Sequence, residues 1–89
     1  MISSRGVQVP DICDFLDFEP VGLSIHDVET PVPIIDIDIV DHNIRRWQSH
    51  CDRLGIANRP HIKTHKLTGL ARFQLAVGAA GITVQKVGE

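Results

Sequence analysis

The residues best equipped for chemistry lie in one run, Arg59-Pro60-His61-Ile62-Lys63-Thr64-His65-Lys66. If that run is extended, its side chains alternate between two faces. Arg59, His61, Lys63 and His65 then share one face, and Pro60, Ile62 and Thr64 take the other. A parallel strand covered by helices should be apolar on both faces. A polar face on such a strand needs a polar partner, because unpaired buried charge is costly. A bound anionic cofactor, or an active-site mouth at the strand's C-terminal end, would supply one. A lysine that forms a Schiff base must be desolvated or set beside other cations so that its amine can be neutral near pH 7. His61 and His65 flank Lys63 two residues away and offer that kind of neighbourhood.

Two plainer readings compete. The run could be a solvated strand edge whose His and Lys side chains face water. Alternatively, His61 and His65 stand four residues apart and could ligate one metal if the run were helical. Pro60 and the β-branched Ile62 and Thr64 favour extension, and no Glu occupies the position a zinc-protease helix requires. Spacing and parity alone leave the function of this run open.

The elements that must position it follow from periodicity. Thr30-Pro31-Val32-Pro33 fits an extended entry, since two prolines remove ladder donors. Ile34 to Ile39 alternates apolar with acidic residues, which predicts a strand with one wet face. Val40, Ile44, Trp47, Cys51 and Leu54 then recur at helical intervals and predict an apolar stripe. Asp38 or Asp41 can cap that helix, and Gly55 can end it in the left-handed conformation. A second extended run spans residues 56–65. A second helix follows, capped by Thr68, with Leu67, Leu70, Ala71, Gln74, Leu75 and Val77 on its inner face and Gly78 as its stop. Ala80 to Gln85 reads as a third strand. The order β-α-β-α-β favours parallel strands with helices outside, in a doubly wound sheet or a barrel.

Residues 1–29 form a poorly patterned arm, variable or partly disordered, broken by Pro10, Pro20 and Gly22. Ile12, Phe15, Leu16 and Glu19 have helical spacing there and allow one short turn. Residues 30–89 form the patterned domain. Asp36 and Asp38 could be paired carboxylates, but a wet strand face and a helix cap explain them better. Trp47 and Cys51 fall on the apolar stripe, which predicts core packing rather than a cofactor or redox role. Gly78, Gly81 and Gly88 do not follow a strand and open a helix in the order a phosphate cradle requires, so helix stop and turn account for them.

Composition excludes several classes of function. The 89 residues suffice for one small domain, with 43% hydrophobic and 22% charged residues and a net charge of -2. That balance gives no electrostatic reason to expect nucleic acid or an anionic membrane as partner. No apolar run approaches the ~18–20 residues that span a bilayer. Met1 to Gly6 lacks the basic-then-apolar pattern of a secretory leader. Two cysteines, Cys13 and Cys51, make neither a disulfide framework nor a Cys-x-x-Cys metal pair. A reduced, cytoplasmic setting is expected.

Three blocks go further. Thr30-Pro31…Asp36-Ile37-Asp38…Asn43-Ile44, the run 59–66, and Gly78 to Glu89 together resemble the D-threonine aldolase and D-serine dehydratase family. These are fold-type III pyridoxal-phosphate enzymes, relatives of alanine racemase. The resemblance covers residues 29–89, and Pro-His-x-Lys-Thr-His-Lys is its specific block. It implies a (β/α)8 barrel of the alanine racemase N-terminal type plus a C-terminal β domain, with only the first β-α-β-α-β units within this chain. It implies Lys63 as the lysine that bonds covalently to the cofactor aldehyde, with Lys66 peripheral. His61, Thr64 and His65 would shape the cofactor's surroundings, and Gln85 would lie near it from the next strand. By the same resemblance the cofactor is pyridoxal 5'-phosphate, and a divalent metal is held by sequence outside these residues. The substrate is a small D-amino acid and the full-length assembly a homodimer. The implied reaction is retro-aldol cleavage of D-threonine-like 3-hydroxy-amino acids to glycine and an aldehyde. D-serine dehydration, or racemization on the same fold, is the near alternative. A truncated, non-catalytic pyridoxal-phosphate-binding or interaction protein is the alternative of another class. A barrel takes ~250 residues, so the 89-residue piece alone is expected to be inactive and to expose apolar faces.

Overall fold

A computed structural model describes residues 10–16 and 22–88. Glu19 and the remaining positions of the N-terminal arm lie outside the described residues, as does Glu89. Helix α1 spans Ile37–Leu54 and helix α2 spans Thr68–Ala76. Two 3-10 turns precede them, Ile12–Phe15 and Ile25–Asp27. Among the described residues no helix is long and apolar enough to cross a membrane.

Helix α1 begins earlier than the alternation of Ile34 to Ile39 predicts. Asp36 is its N-cap, and the carboxylate accepts the Asp38 and Ile39 N–H groups. Neither Asp38 nor Asp41 caps it; Asp41 pairs instead with Arg45 one turn on. The physical reason is a second periodicity hidden in the first. Ile37, Val40 and Ile44 are spaced by three and four, and all three pack on the core. With no partner strand to satisfy its backbone among the described residues, the segment gains more from a capped helix. Ile34 and Ile39 stay 66% and 58% exposed, so the expected strand face is not buried here. Gly55 ends the helix at φ 69°, in the left-handed conformation expected of it.

The stripe on α1 is rotated from the predicted one. Cys51 is buried, but Trp47 and Leu54 are 54% and 60% exposed, and Gln48 takes the inward position. Core packing for Trp47 is thus corrected. Its indole ring stacks on His50, and its N–H donates to Asn58 Oδ1 at 3.1 Å.

Helix α2 follows Leu67, which makes no side-chain cap; Thr68 is the first helical residue rather than the cap. Its buried face is Gly69, Leu70, Ala71 and Phe73. The Ile12–Phe15 turn lies against this face, so part of the N-terminal arm joins the core: Ile12 is 3% exposed and clusters with Leu70 and Phe73. Asp11 starts that turn by accepting the Cys13 N–H. Phe15 and Phe73 meet at 5.7 Å with planes tilted by 59°, an edge-to-face arrangement. Arg45 reaches over the Phe73 ring and donates to the Pro10 carbonyl, tying α1 to the arm.

The two later extended runs pair only briefly, at one parallel bridge between His61 and Thr83. Two backbone bonds make it, Thr83 N–H to Pro60 O and Ile62 N–H to Thr83 O, and Ala80 N–H donates to Asn58 O ahead of it. Helix α2 lies between the two bridged residues in sequence, and among the described residues no strand extends from the bridge. Ile62, inside the paired segment, is 3% exposed.

Candidate active site

The extended conformation reaches Ile62 and stops. Residues 63–65 form a turn, closed by Lys66 N–H donating to the Ile62 carbonyl at 2.8 Å. Four side chains therefore do not share one strand face. Alternation holds for Arg59 and His61, while Lys63 and His65 sit on the turn beyond them. Lys66 closes the turn at φ 52°. Left-handed backbone costs a non-glycine residue about 1–2 kcal/mol, so the surrounding bonds must hold it there.

Those bonds come from the two histidines. Lys63 N–H donates to His61 Nδ1 at 3.1 Å, and Leu67 N–H donates to His65 Nδ1 at 2.9 Å. Each imidazole thus caps the backbone two residues ahead of it. Accepting an N–H requires a lone pair, so Nδ1 is unprotonated in both rings and a neutral ring carries its proton on Nε2. His65 Nε2 then donates to Gln74 Oε1 of α2, 3.2 Å away. Flanking cations around Lys63 were the sequence expectation; in this geometry the imidazoles act as neutral backbone acceptors. The helical metal pair is likewise not formed, since neither histidine lies in a helix and both Nδ1 atoms are engaged. Among the described residues no three of His, Cys, Asp and Glu are grouped to hold a metal.

Lys63 and Thr64 are exposed, and His65 is half-buried against α2. Gln85 is exposed in a bend two residues past Thr83. Continued by two residues, the parallel register would set Gln85 beside Lys63, but pairing ends at the bridge. Arg59 lies over Gly81, where a Cβ would collide with its guanidinium.

Sequence reasoning missed three polar side chains that fix this region. Gln74, counted on an apolar helix face, anchors His65. Gln48, 4% exposed, donates to Asp52 Oδ1 and to Gly78 O and accepts from Asn58 Nδ2. Asn58 in turn receives the Trp47 indole. This network joins α1, the start of the paired segment and the end of α2. An amide side chain at a core-facing helical position was the available signal, because a buried amide must find partners.

Known proteins supply the comparison. Over 62 residues, 70% of this chain, it is 45% identical to the "D-threonine aldolase" of Arthrobacter sp, covering 16% of that protein. This chain is a homologue of D-threonine aldolase. A match of the same length and coverage, at 44% identity, is to the "D-threo-3-hydroxyaspartate dehydratase" of Delftia sp. (strain HT23). The "3-hydroxy-D-aspartate aldolase" of Paracoccus denitrificans is 32% identical over 69 residues, 76% of the chain and 18% of the relative. The chain thus spans 16–18% of the length of these curated relatives. No family model and no solved structure matches it.

Proposed function

We propose that this chain is part of a pyridoxal-phosphate-dependent lyase that cleaves D-threonine-like 3-hydroxy-amino acids to glycine and an aldehyde. The observation that carries the reading is the 45% identity to D-threonine aldolase. The relatives' names share a D-configured amino acid, and each named substrate bears a 3-hydroxyl. The nearly equal match to a dehydratase supports a second reading, loss of that hydroxyl rather than cleavage at Cβ.

One requirement of the cofactor is met by a residue present here. An aldehyde needs a primary amine it can reach, and Lys63 is exposed on a turn whose two neighbouring imidazoles have their Nδ1 lone pairs committed to backbone. Lys63 would hold the cofactor covalently through its amine. Bound pyridoxal phosphate supplies an electron sink for the bond broken at the substrate Cα. His61 and His65 hold the turn that presents Lys63, while Thr64 and Gln85 are the remaining cofactor-facing candidates. The parallel pairing of 58–62 with 80–83 around α2 supports a (β/α)8 barrel in the whole protein. A homodimer with a divalent metal supplied by other sequence completes the proposal. The free Cys13 and Cys51 support a reducing, cytoplasmic location.

The test uses the full-length polypeptide with pyridoxal phosphate. Wild type should develop the visible absorbance of a lysine-bound cofactor, and Lys63→Ala should not. It should release glycine from D-threonine and not from L-threonine. An unchanged band in Lys63→Ala would sink the assignment of Lys63; ammonia without glycine from a D-3-hydroxy-amino acid would establish the dehydratase reading instead.

A further inference from the structure

Two histidines within five residues make the same contact, each accepting at Nδ1 the N–H two positions ahead. One such bond could be incidental. A pair bracketing Lys63 encloses the whole turn, whose last residue holds a left-handed backbone. Short side-chain acceptors such as Asn and Asp commonly serve this role in turns, and they do not change as acceptors near neutral pH. Imidazole does. Protonation at Nδ1 replaces the lone pair with a proton and turns an acceptor into a donor facing a donor.

We propose that His61 and His65 are positioning residues that hold the Lys63 turn only while neutral, so that the turn loosens as pH falls through the imidazole titration. The proposal deepens the lyase reading and rests on it for the role of Lys63, though the turn itself does not depend on any cofactor. The sign follows from the bond. The acceptor is present in the deprotonated ring and lost in the protonated one, so closure belongs to the higher-pH side. Among the described residues, each ring has a neighbour on another segment. From α2, His65 meets Gln74, whose carbonyl accepts from Nε2–H in either protonation state and so keeps the ring in place. From the paired segment, Thr83 stands beside His61. The charged neighbours along the run are Arg59, Lys63 and Lys66, of which Arg59 is directed over Gly81.

The experiment measures amide hydrogen exchange at Lys63 and Leu67 in the full chain without cofactor, from mildly acidic to mildly alkaline pH, corrected for intrinsic rates. Losing one hydrogen bond should lower protection by about threefold to tenfold at each amide on the acid side. The variant His61→Asn/His65→Asn retains an acceptor at each position and removes the titration, so its corrected protection should be flat with pH. Wild-type protection that is also flat would overturn the proposal, without reliance on any variant. So would a pH dependence that survives in the double variant. Uptake of pyridoxal phosphate by the same samples separates the two claims. If wild type shows the pH-dependent turn but takes up no cofactor, the lyase reading fails and the turn stands. If it takes up cofactor at Lys63 while exchange is flat, the reading stands and the turn proposal is wrong.

Discussion

Gly69→Ala tests how α2 meets the N-terminal turn, because local and tertiary terms act in opposite directions. Gly69 is buried at the second position of α2. In a solvated helix, alanine would gain up to ~1 kcal/mol over glycine. Here an added Cβ would stand 3.1 Å from the Phe15 carbonyl carbon and 3.4 Å from Leu16 Cα, and it would collide with the Phe15 carbonyl oxygen. The obstacle is backbone, so no rotamer change removes it. Overpacking of this kind costs about 1–3 kcal/mol, leaving a net loss of up to about 2 kcal/mol after a propensity gain of ~1 kcal/mol. The alternative is for the Ile12–Phe15 turn to lift away, which loosens Ile12 and separates Phe15 from Phe73. Urea unfolding followed by far-UV circular dichroism gives the stability change. Ile12→Ala and the double variant complete a cycle, and in the Ile12→Ala background the glycine replacement should cost less, since the turn is already weakened. Higher stability of Gly69→Ala in the wild-type background would refute the close packing of this turn on α2.

Two further outcomes follow from the network and from the arm. Gln48→Leu removes the acceptor for Asn58 Nδ2 and the donor to Gly78 O, and should cost about 1–3 kcal/mol in urea unfolding; a neutral result would show the network contributes nothing to stability. Cys13 is exposed, yet its thiol is pushed above the usual range by partial desolvation first, then by the carboxylates of Asp11, Asp14 and Asp38. It should therefore alkylate more slowly than a free cysteine near neutral pH, because less thiolate is present. Asp11→Asn, which preserves the cap, should speed it. No change in rate on that substitution would remove Asp11 as a cause.

Much of the helical frame was legible in residue order. Gly55 and Gly78 were readable as helix stops, because left-handed backbone is cheap only without a Cβ. The start of α1 was not. Ile37-Asp38-Ile39 satisfies strand alternation, while Ile37, Val40 and Ile44 satisfy helical spacing, and sequence alone does not weigh one against the other. The Asp36 cap and the core under α1 decided it. Trp47 and Gln48 were exchanged for the same reason: hydrophobicity ranked tryptophan inward, but the neighbours of the inner face were amide and carbonyl groups.

The candidate site divides in the same way. Sequence by itself singled out Lys63 as the candidate lysine and supplied the blocks by which relatives are matched, because both depend on residue type and order, which are read directly. It also placed His61 and His65 beside Lys63. Only the tertiary structure decided what those histidines do. An extended run would have aligned them on one face, whereas the turn at 63–66 directs each Nδ1 to a backbone N–H and brings Gln74 to His65. The reason is that hydrogen-bond partners are a property of geometry, and Gln74 becomes a neighbour of His65 only once α2 has folded back across the turn.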